Sequence, residues 1–166
     1  MNVVITGSTR GIGLGMAREF LRRGHAVMLS SRGQAAVGAA VQELGGEFPQ
    51  GKVAGHVCDV AEYDQVQALW DAAVAAFGRV DIWVNNAGRD SSKLPFARID
   101  PADYRATIST NLLGLMNGMR VCIAAWSSRA AGCGTWRAWA AMARYVPRRR
   151  PTAPPSVRCA ISPPPW

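Results

Sequence analysis

The amino-acid sequence predicts a doubly wound parallel α/β sheet with helices on both faces. Two observations predict it: short apolar, β-branched runs alternate with stretches of helical periodicity, and small or polar residues separate the two. Strict alternation of this kind is typical of parallel sheets. The length of 166 residues, with 49% hydrophobic and 18% charged residues, fits one folded domain and is short for two.

The individual strands and helices follow from the period of the apolar residues. Each predicted strand is an apolar run, and the strands span residues 2–6, 26–30, 53–58 and 80–85. Helices are predicted over residues 11–23, 35–44, 62–77 and 101 to about 123. The last helix carries an apolar side formed by Ile108, Leu112, Leu115, Met116 and Met119.

Residues 124–166 differ in composition from the rest of the chain. The formal net charge is +8, and this segment contributes seven arginines and no acid, whereas residues 1–123 hold all 11 acidic residues. Seven of the 10 prolines also lie there, and proline is excluded from helix interiors and central strands. We predict a folded domain over residues 1–123 and an unstructured, Arg/Pro-rich tail over residues 124–166.

Other features argue against several classes of protein. No apolar run is long enough to cross a bilayer and no basic segment precedes the first strand, so a cytoplasmic location is expected. The four cysteines show no CxxC spacing, and neither His25 nor His56 has a second ligand at a metal-site interval. No metal site is therefore predicted.

A glycine-rich segment lies between the first strand and the first helix. It reads Thr6-Gly7-Ser8-Thr9-Arg10-Gly11-Ile12-Gly13. Glycines there permit a tight turn and let backbone amides approach a pyrophosphate, whose charge the helix N-terminus favours. Because the segment opens a βαβ pattern, a dinucleotide site is favoured over an ordinary strand–helix turn.

The spacing Thr-Gly-x-x-x-Gly-x-Gly resembles the cofactor loop of the short-chain dehydrogenases/reductases. Further matches follow in that family's order: Asp59-Val60 after the third strand, Asn85-Asn86-Ala87-Gly88 after the fourth, and Asn111 in the last helix. The resemblance covers residues 1 to about 123. It implies a Rossmann-like fold, truncated after the last helix, and hydride transfer between a nicotinamide and a hydroxyl/carbonyl substrate. Residues 111–119 resemble members of the chlorophyll b reductase type.

The resemblance also implies roles for these residues. Asp59 would bind the adenine amino group with the Val60 amide beside it, Asn86-Ala87-Gly88 would line the nicotinamide-side ribose, and Asn111 would orient the active-site water and lysine. The residues alone leave alternatives open. Asp59 to Glu62 also fits a helix capping box, the Asn/Gly segment fits a turn, and Asn111 fits a satisfied buried amide.

NADP is the predicted cofactor, with NAD less favoured. NAD enzymes place an acid at the end of the second strand for the ribose 2′-hydroxyl. This chain has Ser30-Ser31-Arg32 there, and no carboxylate occurs between Glu19 and Glu43. Arg32, together with Arg10, could bind a 2′-phosphate by charge-assisted hydrogen bonds. Taken singly, either arginine could also be an ordinary exposed residue.

The family's catalytic tyrosine, lysine and serine have no counterpart in the chain. The tyrosine acts as acid/base, and the lysine four residues later lowers its pKa. Tyr145 is followed by Arg149 instead, with Pro147 between them, which prevents one-turn helical stacking. The chain is therefore predicted to be catalytically incomplete. Binding of a small-molecule substrate and assembly into a homo-oligomer are expected only for the intact parent protein, meaning the complete family member from which this chain would derive.

Two explanations of the basic tail are available. It could bind nucleic acid or acidic lipid in a non-catalytic nucleotide-binding fragment, but its arginines do not alternate with aromatic residues on a regular element. Alternatively, the reading frame has changed, because Pro, Arg, Ala, Gly and Trp have GC-rich codons. Permitted codons for residues 151–166 encode Tyr-Gly-Thr-Thr-Lys in a shifted frame. We favour a frameshift near residues 123–128 over a nucleic-acid partner.

Overall fold

The computed structural model describes residues 1–90 and 92–130, with side chains to residue 127. Four parallel strands form one sheet in the order β3-β2-β1-β4. The strands are β1 (Asn2–Ile5), β2 (Ala26–Ser31), β3 (Val53–Val57) and β4 (Ile82–Val84). Each lies within a residue or two of its predicted position, and the predicted parallel sheet is confirmed.

Helices connect the strands in strict alternation, as predicted. They are α1 (Gly11–Arg22), α2 (Gln34–Glu47), α3 (Tyr63–Phe77), α4 (Pro101–Ile108) and α5 (Gly114–Ala130). The last predicted helix therefore consists of α4 and α5, joined by a π-helical turn at Ser109–Leu113. No helix in the described part of the chain is long and apolar enough to span a membrane.

The sheet is buried on both faces, which confirms the doubly wound arrangement. Alternate residues of a strand point to opposite faces, so the two faces of β1 and β2 enter separate apolar clusters. One cluster packs α1 and α2 against Val3, Ile5, Val27 and Leu29. The other packs α3 and α5 against Val4 and Met28, and its helix residues are Val66, Leu69, Trp70, Ala73, Val121 and Cys122.

The side of the last helix that carries the predicted apolar residues is exposed. Those five residues are 40% to 53% exposed, whereas Gly114, Gly118, Val121 and Cys122 are buried. A Cβ on Gly114 would lie 2.5 Å from Val60 Cγ2, and one on Gly118 would lie 2.8 Å from the Trp83 indole nitrogen. At Gly114 and Gly118 the helix approaches its neighbours too closely for a side chain. Further along the same face, larger side chains such as Val121 pack into the core.

The segment predicted as a tail begins within a helix. Residues 124–130 continue α5, and the indole nitrogen of Trp126 donates a hydrogen bond to the Val80 carbonyl at 3.1 Å. The Trp126 ring also packs edge-on against Trp70, with 6.0 Å between centroids. The remaining predictions for the tail, including those on Tyr145 and on nucleic-acid or lipid binding, concern residues 131–166 and lie outside the described residues.

Candidate functional site

A cleft of about 570 Å³ lies at the carboxyl ends of the strands, a size usual for small-molecule sites. β2 and β4 both pair with β1, so the chain changes direction along the sheet at β1. Ligands of open α/β sheets bind at such a switch point. The cleft is lined by Gly7, Thr9, Arg10, Gly11, Ile12, Gly13, Ser31, Arg32, Gly33, Ala36, Cys58, Asp59, Val60, Asn86, Ala87, Gly88, Arg89 and Thr110.

Glycines shape one wall of the cleft where the loop after β1 meets the loop after β4. Gly7 and Gly11 have φ of 63° and 56°, a region that favours glycine. Space is equally restrictive at Gly7, because a Cβ there would lie 2.7 Å from Ala87 Cα. The side-chain amide nitrogen of Asn86, Nδ2, donates hydrogen bonds to the backbone carbonyls of Thr6 and Gly7 at 2.9 Å each. The two loops therefore form one unit.

Thr6 and Ser8 do not line this cleft, although both were predicted to bind the cofactor. They are 1% and 0% exposed. The Thr6 hydroxyl accepts hydrogen bonds from the backbone N–H groups of Asn86 and Ala87 at 3.0 Å each. The Ser8 hydroxyl donates to Ile5 O at 2.7 Å and accepts from Ser30 N at 2.9 Å. With their hydroxyls occupied in this way, these residues hold the loop in shape.

Positive charge is unopposed at the glycine loop. Arg10 and Arg32 both line the cleft, and no carboxylate within residues 1–90 and 92–127 forms an ion pair with either. The first turn of α1 contains no acidic residue, and its N-terminus has no side-chain cap. Unpaired N–H groups and the helix dipole therefore add to the two guanidinium charges, an arrangement suited to an anion.

Asp59 lies at the corner between β3 and α3 and also lines the cleft. One oxygen of its carboxylate accepts a hydrogen bond from Ala61 N at 3.0 Å, while its own N–H donates to the Gln65 side chain at 2.8 Å. Helix α3 begins at Tyr63, and its N-cap residue, Glu62, makes no side-chain cap bond. The capping-box alternative for residues 59–62 is therefore wrong, because Asp59 closes a turn before the helix.

Asn111 lies in the π-helical turn and does not line the main cleft. Its side chain accepts from Arg89 N and donates to Arg89 O, both at 2.9 Å. Together with Thr6, Asn85 and Ala87 it borders a second cavity of about 110 Å³. The alternative of a buried amide is wrong, since this residue is exposed, although its hydrogen bonds are satisfied. π-helical turns often accompany functional sites.

Some cleft residues were not predicted from the sequence. They are Ser31, Gly33, Ala36, Cys58, Arg89 and Thr110. Most of them adjoin a predicted residue, so their proximity in sequence was an available signal. Arg89 forms an ion pair with Asp103, whose other oxygen accepts from Ser92 N at 2.7 Å. No sequence pattern indicates this long-range pair.

The Cys58 thiol in the cleft is expected to be unreactive. Burial, with a smaller contribution from the charge of Asp59, raises the pKa of Cys58 from 9.0 to about 12. Since the thiolate is the reactive form, labelling by iodoacetamide near pH 8 should be about a thousandfold slower than in urea. Mass spectrometry of the Cys58 peptide measures both rates. Equal rates in the folded and unfolded protein would contradict this expectation.

Comparisons with known proteins agree with this geometry. The family model described as short chain dehydrogenase matches residues 1–133. Chlorophyll(ide) b reductase NOL of Oryza sativa subsp. japonica is 45% identical over 116 residues, covering 69% of this chain and 34% of that protein. 3beta-hydroxysteroid dehydrogenase 1 of Eggerthella lenta is 38% identical over 122 residues, covering 71% of this chain and 44% of that protein.

Solved structures share the fold. An NADPH-bound short chain oxidoreductase from Pseudomonas aeruginosa PAO1 matches with a TM-score of 0.71 and 29% identity, covering 77% of this chain and 49% of that one. A short chain dehydrogenase/reductase from Burkholderia phymatum in complex with NAD matches with a TM-score of 0.68 and 31% identity, covering 74% and 43%.

Fold and cleft together define a Rossmann-like domain of the short-chain dehydrogenase type. The chain belongs to the short-chain dehydrogenase/reductase family. The predicted resemblance to the chlorophyll b reductase type is also confirmed, since reductases of that name are among the relatives. The chain spans about one quarter to one half of the length of the relatives it matches.

Proposed function

We propose that the parent protein of this chain transfers hydride between NADP and a hydroxyl/carbonyl substrate. The observation that carries the proposal is the cleft in which the glycine loop, the Asp59 corner and the Asn86 turn meet. The glycine loop and the N-terminus of α1 would hold the pyrophosphate, and Asp59 with the Val60 amide would hold the adenine. When bound, the nicotinamide supplies or accepts the hydride.

The choice of NADP rests on charge at the end of β2. Arg32 follows Ser31 there and Arg10 lies in the same cleft. Asp59, at the end of the neighbouring β3, is the one carboxylate among the lining residues. A 2′-phosphate would thus meet two guanidinium groups that no acid of the described residues neutralises through an ion pair. Relatives have been solved with NADPH and with NAD, so the argument depends on the residues of this chain.

We expect the 166-residue chain to bind NADPH more tightly than NADH, and Arg32→Asp to reverse that order. The substitution removes a phosphate ligand and adds the acid that a ribose 2′-hydroxyl favours. A loss of about tenfold or more in NADPH affinity corresponds to one charge-assisted hydrogen bond. Fluorescence titration with each cofactor measures the two dissociation constants and hence the ratio of NADPH to NADH affinity.

The matched control is Arg98→Asp, which changes the charge equally at an exposed position outside the cleft. It should leave the NADPH to NADH ratio unchanged, apart from a small effect that salt screens. If the two variants shift the ratio equally, net charge rather than a 2′-phosphate site explains the preference. Equal affinities in the wild-type chain would defeat the NADP proposal outright.

The chemistry of proton transfer is incomplete in the sequence as printed. None of the three tyrosines, Tyr63, Tyr104 and Tyr145, has a lysine four residues later. Asn111 would orient the active-site water and lysine in the parent protein, but no side chain is assigned here to donate the proton. We therefore propose cofactor binding without turnover for this chain. Oxidation of NADPH by any carbonyl substrate, followed at 340 nm, would contradict the absence of turnover.

A further inference from the structure

Asn117 is a partly buried amide in α5 that the proposed function does not use. Its Nδ2 donates hydrogen bonds to the carbonyls of Val60 and Ala61, at 2.9 and 3.1 Å. Because both partners are acceptors, they fix the orientation of the amide group. One turn earlier, Gly114 lies directly against the Val60 side chain. Helix α5 therefore contacts the corner between β3 and α3 through a specific polar contact and a close apolar one.

These bonds complete the fixation of the Asp59 corner. The Asp59 N–H is bound by Gln65, and the Ala61 N–H is bound by the Asp59 carboxylate. Asn117 binds the two carbonyls that remain. Among the described residues no acceptor binds the Val60 N–H, and one oxygen of Asp59 is likewise unpaired. The corner therefore has one free donor, the Val60 N–H, and one free acceptor, an Asp59 oxygen, on adjacent residues that line the cleft.

We propose that Asn117 is the positioning residue for adenine recognition, and this inference rests on the proposed function. Adenine presents a donor, its amino group, next to an acceptor, a ring nitrogen. The unpaired Asp59 oxygen and Val60 N–H match that pair only while the backbone of residues 59–61 keeps its orientation. Rotation of the Val60–Ala61 peptide, which the bond from Asn117 to the Val60 carbonyl opposes, would turn the Ala61 N–H away from Asp59. The Asp59 carboxylate would then lose its fixed place beside the Val60 N–H.

A merely structural role for Asn117 makes a different prediction from this one. General loosening of α5 would weaken every cofactor equally, whatever its base. Loss of adenine positioning would weaken only cofactors whose base forms the donor and acceptor pair. An NADPH analogue with hypoxanthine in place of adenine separates the two cases. In hypoxanthine a carbonyl replaces the amino group and the neighbouring ring nitrogen carries a proton, so neither hydrogen bond to the Asp59 corner can form, while the rest of the molecule is unchanged.

The experiment compares the full-length chain with Asn117→Ala and Asn117→Ser by titration with NADPH and with the hypoxanthine analogue. We expect the wild type to prefer NADPH, and Asn117→Ala to lose about tenfold in NADPH affinity while binding the analogue as before. Asn117→Ser keeps a hydrogen-bond donor, so its NADPH affinity should lie between those of the wild type and Asn117→Ala. Arg120→Ala is the control. The Arg120 guanidinium carbon lies 5.0 Å from the centre of the Tyr63 ring, and Arg120 binds neither the Val60 nor the Ala61 carbonyl.

Amide hydrogen exchange of residues 59–62 without cofactor gives a second readout. It should accelerate in Asn117→Ala and remain at the wild-type rate in Arg120→Ala. An equal loss of affinity for both cofactors, unchanged exchange, or failure of both Asn117 variants to fold would overturn the positioning role alone. Absence of binding by the wild type would instead overturn the proposed function, and the inference with it.

Discussion

Gly13→Ala is expected to remove NADPH binding at concentrations that saturate the wild-type chain. A Cβ at this position would lie 2.5 Å from the Asn86 amide nitrogen and 2.8 Å from Ser8 Cα. Both contacts are with the two loops that form one wall of the cleft, so neither loop can move away without opening that wall. Overpacking of this kind costs about 1–3 kcal/mol of unfolding free energy, and a thermal melt measures that loss beside the titration.

Gly15→Ala, in the same helix, is the matched control. An added Cβ there meets nothing within 4 Å, and alanine stabilises a helix interior by about 0.5–1 kcal/mol relative to glycine. The control should melt slightly higher than the wild type and bind NADPH equally. If Gly13→Ala also binds like the wild type, the glycine loop is not packed as described.

The parts of the fold that the sequence predicts well are those that depend on local chemistry. Apolar runs buried on both faces identify β1 and β2 whatever their neighbours. The order of strand, glycine loop and helix likewise places Gly7, Gly11 and Gly13 at the cleft. Arg32 follows from its position directly after β2. In each case the signal and the structural consequence lie within a few residues of each other.

The parts that could not be predicted depend on distances between elements. The inner face of α5 carries glycine in its first two turns because the helix nearly touches Val60 and Trp83 there, whereas hydrophobic periodicity points to the opposite side. Thr6 looks like a ligand of the cofactor in the sequence but binds the backbone after β4. Asn117 belongs to no recognisable motif and could not be predicted, since its partners are two backbone carbonyls far away in sequence.

Restoring the reading frame is expected to change the activity from none to measurable turnover. No acidic residue follows Asp103, and arginine and proline accumulate after residue 123. Permitted codons for residues 151–166 read Tyr-Gly-Thr-Thr-Lys in the shifted frame, which supplies a tyrosine and a lysine four residues later. The same shift lets residues 135–143 read Asn-Met-Glu-Gly-Leu-Gly-Ser-Asp-Gly, so a serine precedes that pair in the family's order.

A single-base insertion or deletion in the codons for residues 123–128 accounts for all three residues at once. Correcting it should give a longer protein that binds NADPH and turns over a carbonyl or hydroxyl substrate at about 1 s⁻¹ or faster. The control is the corrected protein with its new tyrosine replaced by phenylalanine, which should bind NADPH without turnover because the proton donor is missing. The coding DNA decides the matter first. A stop codon before the lysine in the alternative frame, or other residues at the two catalytic positions, would show that the tail has another origin.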